Sequence, residues 1–82
     1  MLIHARFFAL YRDRVGDRLV DFDVPDDATV ADLVDAVVGR YPNFCPNPPS
    51  VVVAVNREYV NHSHPLRDGD EAAFIPPVSG GQ

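Results

Sequence analysis

PDDATVADLVDAVVGRYP, residues 25–42, is the stretch whose apolar residues recur at helical spacing. Val30, Leu33, Val34, Val37 and Val38 fall on one side, a stripe that needs a surface to lie on. Thr29 is the N-cap, and Asp32, three residues on, completes a shortened capping box. Asp26, Asp27 and Asp32 place negative charge at the positive end of the helix dipole. Pro42 stops the helix, with Arg40 in its last turn.

The flanks read as strands. LIHARFFAL (2–10) alternates between Ile3, Ala5, Phe7, Ala9 and His4, Arg6, Phe8, Leu10. YRDRVGDR (11–18) is a polar connection. In LVDFDV (19–24), Phe22 and Val24 face in while Asp21 and Asp23 face water. After the helix, NFCPNPPS (43–50) carries three prolines and reads as a surface loop. VVVAV (51–55) is a strand buried on nearly both faces, and NREYVN turns into a short return strand. HSHPLRDGD ends in a turn whose Gly69 wants a left-handed backbone. EAAFIPP (71–77) is the final strand, and Pro76 ends its pairing. The order is β, β, α, β, short β, β. It describes an α+β roll of the ubiquitin-like β-grasp kind: a mixed sheet of four to five strands, one main helix on one face, and the first and last strands adjacent at the centre. Residues 1–82 are expected to form a single domain, with 76–82 a flexible C-terminal tail.

An 82-residue chain supports one modest core. With one cysteine, no disulfide framework can form. MLIHARFFAL lacks the charged start of a signal peptide, and no apolar run approaches the ~20 residues of a membrane helix. A cytoplasmic protein that engages no membrane is expected. Ten Asp and two Glu outweigh seven Arg, for a net charge of −5, and lysine is absent. An acidic chain without a basic cluster is a poor nucleic-acid binder and a good ligand for a basic protein surface. The missing lysine reads as coding bias toward Arg, Ala, Val, Pro and Asp.

The reactive side chains mostly have plain readings. Cys45 lies in the proline loop with no basic neighbour to activate it. His62 and His64 lack a third metal ligand, so no metal site is expected. His64 is expected to fix the loop before Pro65, and His4 to be an exposed strand residue. Asp68, Asp70 and Glu71 make a turn and not a calcium loop. The informative residues are apolar. If Ala5, Phe7 and Phe74 face the helix, then Phe8, Ala73 and Ile75 fall on the open face of the sheet, with Tyr59 beside them. A patch of that kind rimmed by Arg6, Arg57 and acidic groups is what a docking surface looks like.

The chain ends IPPVSGGQ. Together, RFFALYRDRVG (6–16), VAVNREYV (53–60), HPLRDGDEAAF (64–74) and PPVSGG (76–81) resemble the small subunit of molybdopterin synthase, a sulfur carrier with a β-grasp fold. The resemblance implies that the Gly81 carboxylate is adenylated by a ubiquitin-activating-type adenylyltransferase using ATP and Mg, then converted to a thiocarboxylate. It implies docking on the synthase large subunit through Phe8, Tyr59, Ile75, Pro76, Pro77, Val78 and Ser79. Gly80 and Gly81 would enter the partner's active site, since glycine offers no side chain to obstruct a narrow channel. No bound cofactor and no catalytic constellation are expected in this chain. Two other readings share the Gly-Gly end: a prokaryotic ubiquitin-like modifier conjugated to lysines, and a sulfur carrier of another pathway such as thiamin or cysteine synthesis. Gln82 departs from the family pattern. It converts the Gly81 carboxylate to an amide, so trimming of Gln82, its being foreign to the natural chain, or a fusion to the large subunit is expected.

Overall fold

The computed structural model describes residues 1–76. Five strands, β1 (Leu2–Phe7), β2 (Leu19–Asp23), β3 (Val52–Val55), β4 (Glu58–Val60) and β5 (Glu71–Ile75), form one sheet in the order β2-β1-β5-β3-β4. β1 and β5 run parallel at its centre; the other three pairings are antiparallel. The mixed sheet, the central pairing of first and last strands and the covering helix are as the sequence suggests.

The main helix, α2 (Val30–Arg40), buries Val30, Leu33, Val34 and Val37 against this sheet. Each such side chain contributes roughly 1.5–3 kcal/mol on leaving water. Thr29 N donates to Asp32 Oδ2 at 2.9 Å, the expected capping interaction. The first helical amides find carbonyls in the 62–66 loop: Val30 N donates to His64 O at 3.0 Å and Ala31 N to His62 O at 2.9 Å. Groups that every helix start leaves without intrahelical partners are thereby satisfied from outside. The helix begins at Val30, because Pro25–Ala28 form a separate turn closed by an Ala28 N to Pro25 O bond of 3.0 Å.

Three expectations are corrected. β1 ends at Phe7 instead of Leu10, and Ala9 is exposed, not in the core. Residues 11–18 are no simple connection: Ala9–Val15 form a short helix, α1, which buries Tyr11 and Val15 and closes on Gly16 at φ 89°. Tyr11 and Val15 stand four apart, one helical turn, so two anchors suffice to seat it. The proline-rich loop is not wholly superficial either. Phe44 is fully buried and Cys45 is buried, before a 3-10 turn over Pro48–Ser50. Phe44 packs edge-on against Phe7 and Phe74, with ring centroids 5.6 Å apart in both pairs, and lies 4.5 Å from Tyr11. Arg14 Nη1 donates to Phe44 O at 3.0 Å and ties α1 to that loop.

Gly69 has the expected left-handed backbone, φ 86°. Asn56 and Arg57, at φ 50° and 74°, make the tight turn between β3 and β4.

Candidate functional site

The face of the sheet away from α2 is half charged and half apolar. On the β2–β1 side, His4 Nδ1 pairs with Asp21 Oδ1 at 2.6 Å, and Arg6 Nε lies 3.3 Å from Glu71 Oε2. On the β5–β3–β4 side the residues beyond Glu71 are apolar. Register aligns Arg6 with Ala73, Ala73 with Ala54, and Ala54 with Tyr59, one row across four strands. The next row aligns Ile75 with Val52.

Two alanines in the middle of that row leave a floor without bulk. Around it stand Phe8, Ile75 and Tyr59, with Arg6, Arg57 and Glu71 completing the wall of a groove of about 270 Å³. Phe8 is placed there by its backbone. It caps α1 in an extended conformation, φ −117° and ψ 151°, so its side chain continues the outward set of β1. Its carbonyl accepts from Tyr11 N at 3.0 Å and is thereby anchored. Phe8 remains 42% exposed and Tyr59 73% exposed, large apolar areas for so small a protein.

Phe8, Tyr59 and Ile75, named from the sequence as a docking set, thus line one groove together with the anticipated Arg6 and Arg57. Ala54 was missed. A run of Val-Val-Val-Ala-Val suggests burial on both sides, and only the register shows that Ala54 floors an open concavity. Pro76 follows β5 and is half-buried. Pro77, Val78, Ser79, Gly80 and Gly81 lie outside the described residues.

The other candidates sit elsewhere. Cys45 lies against Tyr11 beneath α1, remote from the groove; burial, then the neighbouring Cys45, push the Tyr11 hydroxyl up to about 12. His62 makes a ring hydrogen bond, its Nε2 lying 2.7 Å from Val51 O. His64 holds the loop through its backbone, its N donating to Asn61 O at 3.2 Å. Asp70 braces the turn before β5, accepting from Arg67 N at 2.8 Å and from Asn56 Nδ2 at 2.9 Å. Among the described residues no helix is long and apolar enough to cross a membrane.

A roll of this topology with a groove on its open face places the molecule among the ubiquitin-like β-grasp proteins. The sequence matches the ThiS family over residues 5–81. It is 36% identical over 83 residues to a molybdopterin synthase sulfur carrier subunit of Chlamydomonas reinhardtii, covering 99% of this chain and 100% of that one. It is 38% identical over 88 residues to small archaeal modifier protein 1 of Haloferax volcanii, covering 93% and 97%. A crystal structure of that Haloferax modifier superposes with a TM-score of 0.83 at 34% identity, covering 99% of this chain and all of that one. The chain belongs to the ThiS family.

Proposed function

We propose that this protein is the sulfur-carrying small subunit of a molybdopterin synthase, acting in the cytoplasm. The observation that carries the reading is continuity: β5 ends at Ile75 on the rim of the groove, and the chain runs from there into the Pro-Pro-Val-Ser-Gly-Gly sequence. A partner seated on the groove therefore lies beside the residue from which that sequence continues. The identity to the Chlamydomonas sulfur carrier subunit over nearly the whole chain supports the same reading.

The chemistry follows from the end group. A carboxylate is a poor electrophile, so activation comes first. A Gly81 carboxylate oxygen attacks the α-phosphorus of ATP, with Mg, in a ubiquitin-activating-type adenylyltransferase, and pyrophosphate leaves. Hydrosulfide then attacks the acyl carbon, AMP leaves with the electron pair of the acyl–phosphate bond, a proton goes to water, and a C-terminal thiocarboxylate remains. Its low basicity keeps it ionised and nucleophilic at neutral pH, as for other low-pKa sulfur groups. In the large subunit the sulfur passes to a pterin precursor to build a dithiolene, and that subunit supplies the acid–base groups.

Activation needs a free carboxylate on Gly81. A form ending at Gly81 should support ATP–pyrophosphate exchange with the activating enzyme and then gain ~16 Da, the oxygen-to-sulfur difference that a thiocarboxylate nucleophile requires. The form ending at Gln82 should be inert, since its carboxylate is displaced by one residue, about 3.3–3.6 Å. Equal exchange by both forms, with Gln82 retained, would count against this reading.

The identity to an archaeal modifier favours a second one, in which the same activated end is conjugated to lysines of other proteins. Isopeptide-linked Gly81 on cellular proteins, recovered by mass spectrometry, would identify that activity.

A further inference from the structure

The β3–β4 turn contains two consecutive residues of positive φ, Asn56 at 50° and Arg57 at 74°, the pattern of a type I′ turn. The second central position of such a turn suits glycine, because an L side chain strains the backbone there. Asn56 has a structural use. Its N donates to Glu71 O at 2.8 Å, its Nδ2 to Asp70 Oδ1 at 2.9 Å, and its Oδ1 accepts from Glu71 N at 3.0 Å. These bonds brace the turn against the start of β5. Arg57 has no such bracing role. It is exposed, and among the described residues its guanidinium has no ion-pair partner. An arginine stands where glycine would fold more easily, and its side chain does nothing for the fold.

What the Arg57 side chain does meet is the groove. It stands in the wall with Phe8, Tyr59 and Ile75, over the floor of Ala54 and Ala73. The other charges in that wall, Arg6 and Glu71, compensate each other, with Nε 3.3 Å from Oε2. Among the described residues Arg57 is thus the uncompensated charge beside an apolar concavity of about 270 Å³, room for one large side chain. A guanidinium at the edge of an apolar site recognises a carboxylate, because its planar fork can donate two parallel hydrogen bonds to it. The far end of the same face has the opposite sign, with Asp21 and Asp23 exposed on β2.

We propose that Arg57 is a specificity-determining residue of the docking face: it grips a carboxylate of the partner while an aromatic or leucine-sized side chain beside that carboxylate fills the groove. Resting on the proposed docking of a large subunit, this names the feature of that subunit which is recognised. It also fixes the direction of docking. Basic groups of the partner then fall over Asp21 and Asp23, and a reversed partner sets like charges together at both ends. Glycine at position 57 would ease the turn and lose the grip.

The two effects have opposite signs in one variant. Arg57→Gly should raise the melting temperature of the free protein by about 2–5 °C, the scale of a relieved backbone in so short a domain. The same variant should bind the molybdopterin synthase large subunit roughly tenfold more weakly in titration calorimetry. Arg57→Gln keeps the strained backbone, so it should bind as weakly without the gain in melting temperature. Arg57→Lys keeps the charge without the fork and should fall between. An Arg57→Gly protein that melts below the wild type, or binds as tightly as it, overturns the proposal. If the large subunit does not bind the wild type, the docking reading fails and a small probe decides the present one. Hydrocinnamate, a phenyl ring with a nearby carboxylate, should shift the amide resonances of Ala54, Ala73 and Tyr59 more than the uncharged hydrocinnamamide does. Arg57→Gln should remove that difference. Equal shifts from the two probes, or a difference that survives Arg57→Gln, overturns the proposal. So does a wild-type dimer in sedimentation that Arg57→Gln dissociates, because a second copy would then occupy the groove.

Discussion

Ala54 and Ala73 act by what they lack. Any larger pair in that row would fill the groove, and Phe8, Ile75 and Tyr59 would then frame a flat surface. Phe8→Ala and Ile75→Ala are expected to weaken binding to a large subunit by about 1–3 kcal/mol each, the range for interface anchors. They should cost the free protein little. Phe74→Ala, one residue from Ile75 but fully buried and stacked 5.2 Å from Phe7, should cost about 3–5 kcal/mol of stability. Calorimetry of the three variants beside titration with the partner separates the two faces. This division was legible in the sequence because strand side chains alternate strictly. Phe44 was not, because prolines on either side signal a loop and say nothing about whether one of its side chains turns inward. Tyr11 makes a second prediction. Its folded-state pKa, raised to about 12 first by burial and then by Cys45, favours the neutral phenol. Its contribution is whole below the unfolded pKa of about 10 and fades as pH rises from there toward 12, a loss on the order of 2 kcal/mol. Urea midpoints at pH 8 and pH 11.5 should fall further apart for the wild type than for Tyr11→Phe.

The two helices differ in how openly the chain announces them. α2 has a stripe of four buried valine and leucine residues, a cap and a stop. α1 has two buried residues, no side-chain cap bond and an Arg-Asp-Arg surface, so its seven residues look like a polar turn. What holds α1 is tertiary: Tyr11 and Val15 in the core, Arg14 on Phe44 O, and Gly16 closing the end with its N donating to Arg12 O at 2.8 Å. Gly16 reads in the sequence only as part of a polar connection, yet its φ of 89° makes it the C-terminal cap, and a Cβ there would meet nothing within 4 Å. Gly16→Ala should therefore destabilise by backbone strain alone, about 1–2 kcal/mol. Gly16→Asn should cost less, since Asn tolerates that conformation better. Thermal melts of both variants test this; equal losses would mean that the side chain, not the backbone, is the problem.

At the scale of the whole molecule the sequence was most informative about topology. A hairpin, a covering helix and three later strands leave few ways to bury one helical stripe, and the arrangement with β1 beside β5 is the one observed. The groove was half legible, as its apolar rim follows from alternation while its depth depends on which residues meet across strands far apart in sequence. That central pairing also has a mechanical side. Parallel neighbours β1 and β5 point the same way, so a pull on the start of one and the end of the other slides them past each other lengthwise. Their evenly spaced, slanted hydrogen bonds then share the load at once, not one after another. A force applied between residue 1 and the tail should meet high resistance, whereas one applied between residue 1 and Asn56, in the β3–β4 turn, should peel the sheet at lower force. Optical-tweezer measurements with handles at those two pairs of positions should resolve the difference. A partner that threads the tail through a channel could thus tug on it without unravelling the domain.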